Sequence, residues 1–200
     1  MTRTALTLTL AALFAAPAAL AASIGEAAPA FTLADSHGKS HSLADYHGKT
    51  VILEWTNHEC PFVKKHYGAG NMQAQQRAAV ADGIVWLTIN SSNVGQQGHV
   101  DADFANKLFA ESYQAANTAY LFDTDGVVGR AYGAKTTPQM YIIDADGVLR
   151  YNGAIDSIPS ADQADIADAT QHVSVALAEL AAGKPVGVPL TQPYGCSVKY

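Results

Sequence analysis

The chain of 200 residues has two cysteines, Cys60 and Cys196, and two tryptophans. So few thiols exclude a disulfide-dense scaffold, and a packed core must hold the fold. Three residues beyond Cys60, where a C-x-x-C motif would place its second thiol, stands Val63. That excludes dithiol exchange within one motif. Basic residues are few, 12 Lys and Arg against 18 Asp and Glu, with no run longer than Lys64-Lys65. A nucleic-acid partner is therefore not expected. Low-complexity stretches and internal repeats are missing. Beyond residue 20 no apolar run is long enough to span a bilayer.

What is present begins with a leader. Arg3 makes a short positive start, residues 5–20 are almost wholly Ala, Leu, Thr and Phe, and Ala19-Leu20-Ala21 fits the small-x-small cleavage rule. Residues 1–21 are expected to be a signal peptide, 22–183 one domain, and 184–200 an irregular tail carrying Cys196. Without Arg3 the 11 remaining basic and 18 acidic residues give a formal charge of −7. Export places the chain in an oxidising compartment, the periplasm if the source is a Gram-negative bacterium. There two cysteines form either a structural disulfide or a redox pair.

Periodicity gives the elements. Phe31 and Leu33 alternate, and Ser36-His37-Gly38-Lys39 is turn chemistry, so an N-terminal β-hairpin is expected, with His37, His41 and His47 on its polar surface. Residues 50–55 are a β-branched apolar run and read as a buried central strand. Pro61 is favoured at the first position of a helix, which makes Cys60 its N-cap or a neighbour. Gly68-Ala69-Gly70 interrupts that helix, and Asn71 is placed to cap a continuation to about Ala81. Residues 83–90 read as a second buried strand, Asp101 as the cap of a helix over 102–115, residues 119–123 as a short strand, and residues 140–155 as a hairpin across Asp146-Gly147. Ser160 is expected to cap a long helix ending near Gly183. Asp123–Gly126 and Asp144–Gly147 lack the continuation of a calcium loop and read as hairpin turns. This order makes an α/β sandwich with a mixed sheet. Reactive groups of such sheets gather beyond the C-terminal ends of the central strands, where Cys60 lies.

Cysteine reacts as its thiolate. A helix start offers partial positive charge and free N–H groups, Lys64 lies one turn along, and His58 is two residues before, with Glu59 opposing them. A lowered Cys60 pKa is predicted. Thr137-Pro138 stands immediately before an apolar strand, and a proline there calls for a cis peptide. Trp55, Asn57, Pro61 and Lys64 flank Cys60 and are expected to contact substrate, although Trp55, like Tyr67 and Trp86, also suits a core. The loop at residues 91–99 leaves its strand on the same side and is expected to shape a groove. From Gly183 to Cys196 the tail has 13 residues, enough to extend about 40 Å. Gly195 permits a tight approach, and Tyr194 and Tyr200 can anchor the segment.

The stretches APAFTLADSHGKSHSLADYHGKTVILEW, CPFV and YGAKTTPQMYIIDADGVLRYNGAI resemble thioredoxin-fold redoxins, the group that joins thioredoxins to the alkyl hydroperoxide reductase/thiol-specific antioxidant proteins. The resemblance covers roughly residues 27–156. It implies a reactive Cys60 and a cis-proline at Pro138 preceded by Thr137, which can offer backbone hydrogen bonds to a docked chain. Peroxidatic members carry Thr or Ser three residues before the cysteine, where this chain has Asn57, with Thr56 one further back. They also use an arginine near the sulfur, and the late arginines are Arg130 and Arg150. The reading that follows is a thiol–disulfide oxidoreductase without a cofactor. Cys60 is its nucleophile and Cys196 a resolving thiol, with a protein disulfide as substrate and an unidentified thiol electron donor. A thiol peroxidase is one alternative. A non-enzymatic module binding copper through Cys60, His58 and His66 is the other, soft thiolate and imidazole suiting that metal. Copper-delivery proteins of this fold use two nearby cysteines, so no metal is expected.

Overall fold

The computed structural model describes residues 22–200, so the expected leader over 1–21 lies outside the described residues. A hairpin of β1 (Thr32–Asp35) and β2 (Ser40–Ser42) opens the fold. It leads to β3 (Val51–Trp55), then α1 (Pro61–Gly68) and α2 (Asn71–Ala81), and β4 (Val85–Asn90). A short α3 (Ala102–Ala105) continues as π-helix over Asn106–Ser112. Next come β5 (Ala119–Phe122), α4 (Val127–Tyr132), β6 (Thr136–Thr137), β7 (Gln139–Ile143) and β8 (Leu149–Gly153). The last elements are α5 (His172–Ala181) and β9 (Cys196–Ser197).

Seven strands form one mixed sheet in the order β2-β1-β5-β4-β3-β7-β8. At its centre β3 runs parallel to β4 and antiparallel to β7. Alternation along a strand sends successive side chains to opposite faces. Ile52 therefore joins Val63, Tyr67, Met72, Trp86, Met140 and Val173 beneath α1, α2 and α5. Val51, Leu53 and Trp55 face the other way, toward Val128 and Tyr132 of α4. Burying both faces is what made residues 50–55 read as a continuous apolar run rather than an alternating one. Among the described residues no helix is long and apolar enough to cross a membrane.

Several boundaries differ from expectation. Gly70, at φ +73°, precedes α2, and the Asn71 side chain donates to His66 Nδ1 (2.9 Å) and to Gln171 instead of capping. No long helix begins at Ser160. Its hydroxyl binds Asp165 beside a short 3-10 turn (Ala164–Ala167), and Asp156 then bridges Gln171 before α5 starts. Asp123 is no hairpin turn, because its carboxylate accepts the Val128 and Gly129 N–H groups and so fixes the start of α4. His41 leaves the hairpin surface and is buried between Asp35 and Tyr46.

Candidate functional site

Cys60 is the residue before α1, extended at φ −69°, ψ 125°, with Pro61 opening the helix. Its carbonyl closes the first turn by accepting the Lys64 N–H at 2.9 Å. The sulfur lies at the start of the helix, under β6. Thr137-Pro138 is a cis peptide, and the Thr137 carbonyl stands 3.0 Å from the Cys60 sulfur, accepting its S–H.

The tail closes over this corner. β9 pairs antiparallel with β6, Cys196 opposite Thr137, and the Cys196 N–H donates to the Cys60 sulfur at 3.4 Å. Both cysteines are free thiols, Cys60 fully buried and Cys196 half-buried. Gly195 permits the approach: at φ +137°, a Cβ there would lie 2.0 Å from the Thr137 carbonyl oxygen. Beyond it the Tyr200 hydroxyl donates to the Ala134 carbonyl at 2.7 Å, and Arg130 sits over the Tyr200 ring. Glycines at 126 and 129 leave room for that ring.

The two thiols are shifted in opposite directions. Burial pushes Cys60 up, but hydrogen bonds from the Cys196 thiol, the Val63 and Cys196 N–H groups and the Thr137 side chain bring it below the ordinary thiol value. Cys196 is pushed up to about 11 by burial and by the hydrogen bond and charge of Cys60, with Lys199 opposing. The expected lowering of Cys60 is present, and the Val63 N–H is one of the helix-start donors expected for it, but Lys64 and His58 are not among its causes. Lys64 is exposed and its charge is felt at His58.

The structure brings Cys60, Thr137, Pro138 and Cys196 together and separates others from them. Trp55, expected at the substrate, is fully buried on the opposite face of the sheet, where its indole N–H donates to Ser91 at 3.0 Å. Asn57 is buried too, donating to the Gln97 carbonyl and accepting the Glu59 N–H. It ties the 91–99 loop to the approach to Cys60, and that loop with His58, Glu59 and Phe104 borders an open cleft of about 540 Å³. Pro61 and Lys64 are exposed beside the helix start. Arg150 pairs with Asp144, and Arg130 binds the Asp125 carbonyl, so both are engaged away from the sulfur. Among the described residues no three His, Cys, Asp or Glu cluster as a metal site. His66 binds Tyr194 and Asn71, and the His58 ring packs on Phe104.

Sequence reasoning missed two buried polar clusters. Glu54, on β3, is fully buried and accepts from Tyr67, Gln76, Trp86 and Thr88. Lys65, His66 and Asp156 are buried together under Tyr194. The adjacent charge of Lys64-Lys65 was the only local sign, since its partner lies 91 residues away.

A central mixed sheet covered by helices, with a cysteine at a helix start facing a cis-proline, defines a thioredoxin-like redoxin. The chain belongs to the AhpC/TSA family, whose model matches residues 24–152. No curated protein matches it. Among solved structures it is similar to an uncharacterized conserved protein from Geobacillus kaustophilus, at 26% identity and TM-score 0.73, over 89% of this chain and 92% of that one. A hypothetical protein from Sinorhizobium meliloti matches at 22% identity and TM-score 0.75, over 90% and 96%. The thioredoxin domain of a thiol-disulfide oxidoreductase from Bacteroides vulgatus matches at 19% identity and TM-score 0.52, over 73% and 96%. These likenesses establish the thioredoxin fold.

Proposed function

We propose that the protein is an exported thiol–disulfide oxidoreductase in which Cys60 attacks a protein disulfide and Cys196 resolves the product. The observation that carries this reading is the seating of Cys196 on Cys60, N–H to sulfur at 3.4 Å, at a helix start.

The chemistry balances as two exchanges. The Cys60 thiolate attacks one sulfur of R–S–S–R′. The S–S bond breaks, R′S⁻ leaves and takes up a proton, and a Cys60–S–S–R mixed disulfide forms. Cys196, as thiolate, then attacks the Cys60 sulfur and RS⁻ leaves. The Cys60–Cys196 pair has lost two electrons and the substrate has gained them. An external dithiol restores the pair.

Burial raises Cys196 most, and the hydrogen bond and charge of Cys60 add to it. Once Cys60 is tied in a mixed disulfide, its charge and acceptor are gone and Cys196 ionises more readily. Thr136 and Thr137 offer an extended edge on which a substrate segment can pair once β9 leaves. Pro61 and Lys64, exposed at the helix start, border the approach.

Parallel assays of wild type, Cys60→Ser and Cys196→Ser with a protein disulfide and with hydrogen peroxide test the reading. Wild type is expected to reduce the disulfide. Cys60→Ser should fall to background, and Cys196→Ser should accumulate the mixed disulfide by mass spectrometry. Peroxide consumption without disulfide reduction would make the protein a thiol peroxidase. Tight copper uptake with neither activity would support the metal-binding alternative.

A further inference from the structure

The cluster beneath Tyr194 takes no part in the exchange chemistry. Lys65, His66 and Asp156 have side chains with no exposed surface. Lys65 Nζ stands 3.4 Å from Asp156 Oδ2 and donates to the Ile158 carbonyl at 3.2 Å. His66 is held neutral at pH 7: burial and, less strongly, Lys65 lower it against the opposing charge of Asp156, to about 4. Its Nδ1 is occupied by Asn71, leaving Nε2 to face the Tyr194 hydroxyl at 3.2 Å. That hydroxyl donates to the other Asp156 oxygen. The Tyr194 ring packs edge-on against Phe62, with Lys65 Nζ 5.8 Å from its centroid. One tail side chain is therefore gripped by a polar, a cationic and an aromatic group at once, two residues before Cys196.

We propose that Tyr194 is a positioning residue: its grip on Asp156 latches the tail in place, and latching decides both how well Cys196 is aimed and how often Cys60 is reachable. This rests on the reading of Cys60 as nucleophile. While β9 is seated, Cys60 is 0% exposed, so an outside disulfide meets the sulfur only after the tail lifts. The rate of attack is then the intrinsic rate scaled by the fraction of lifted tail. The same latch that slows entry speeds resolution, because it returns Cys196 to within bonding reach of Cys60. The buried Asp156–Lys65 pair keeps the socket formed when the tail is out, each charge retaining its partner.

Tyr194→Phe removes the hydroxyl and leaves the buried pair intact. With iodoacetamide at pH 7, Cys60 in a Cys196→Ser background should be alkylated roughly ten- to hundredfold faster once Tyr194→Phe is added, the range for a buried hydrogen bond to a charge. The effective concentration of Cys196 toward Cys60, from equilibration of Tyr194→Phe with glutathione, should fall by a similar factor. A tyrosine that only stabilises the fold would lower the melting temperature without moving either quantity. Unchanged alkylation and unchanged effective concentration overturn the proposal. Phe62→Ala, which removes the ring under Tyr194, should move both in the same direction and decides the matter if Tyr194→Phe fails to fold. Alkylation needs no substrate turnover. A protein with no disulfide reductase activity but an accelerated Tyr194→Phe would keep the latch and lose the function proposed above.

Discussion

At the scale of single residues, Glu54 shows what a carboxyl needs inside a sheet. A carboxylate without partners is very unfavourable there, and four donors converge on it: Tyr67 at 2.8 Å, Trp86 at 2.8 Å, Thr88 at 3.1 Å and Gln76 at 3.2 Å. Burial still outweighs them and holds the carboxyl above its ordinary value of 4.5. A raised folded pKa means that the folded state binds the proton more tightly than the unfolded one. Its contribution is full below about pH 4.5 and declines as pH rises through the folded value. Glu54→Gln replaces an oxygen that can accept in either protonation state by an amide nitrogen that cannot, facing other donors. It is expected to lower stability on the order of 1–3 kcal/mol. By urea midpoints the advantage of wild type should be largest near pH 5 and shrink toward pH 8. An advantage that grows with pH would contradict this account. Trp55, on the next position of β3, illustrates why the sequence misplaced a site residue. It is five residues from Cys60, but the two-residue period of the strand turns it to the other face.

At the scale of elements, the β6–β9 pair is small and separable. It stands apart from the seven-stranded sheet and joins two residues from each strand. Its geometry depends on Gly195, where any Cβ would collide with the Thr137 carbonyl. Gly195→Ala should therefore unseat β9 and spare the rest. In hydrogen exchange, the Val198 amide, bonded to the Lys135 carbonyl at 3.0 Å, is expected to lose its protection while amides of β3 and β4 keep theirs. Loss of protection across both regions would show that the tail belongs to the global core. The elements differ in how far they could be read in advance. The central strands were legible because both faces are buried and their apolar runs are unbroken. The start of α1 was legible from Pro61. α4 was not, since six residues between Gly126 and Gly133 give too little periodicity to separate a helix from a turn. The expected helix from Ser160 failed because Asp156 pairs with Gln171, a contact across 15 positions that forces the chain to turn first. The pairing of β9 depends on β6, some 60 residues earlier, and no local pattern at Cys196 announces it.

At the scale of the whole molecule, the sheet, the helix start and the tail bring together groups far apart in sequence. Cys60, Thr137 and Cys196 meet although 77 residues separate the first two and 136 the outer pair. The nucleophile could be read locally, because strand, cysteine and proline stand in one stretch. Of the groups that tune it, the helix-start N–H of Val63 was legible too, but Thr137 and Cys196 were not, because they arrive from β6 and β9 and depend on the closed fold. The consequence of that closure is thermodynamic. Hydrogen bonds that favour the Cys60 thiolate stabilise the reduced pair, and stabilising the reduced form raises the potential of its disulfide. A permanent staple, by contrast, has no use for a stabilised thiolate. The most direct measurement is the reduction potential of the Cys60–Cys196 pair, read by mass spectrometry after equilibration in glutathione buffers. Redox cycling predicts a labile disulfide with a potential above about −300 mV, and a value well below about −300 mV would mark a structural bond and contradict it.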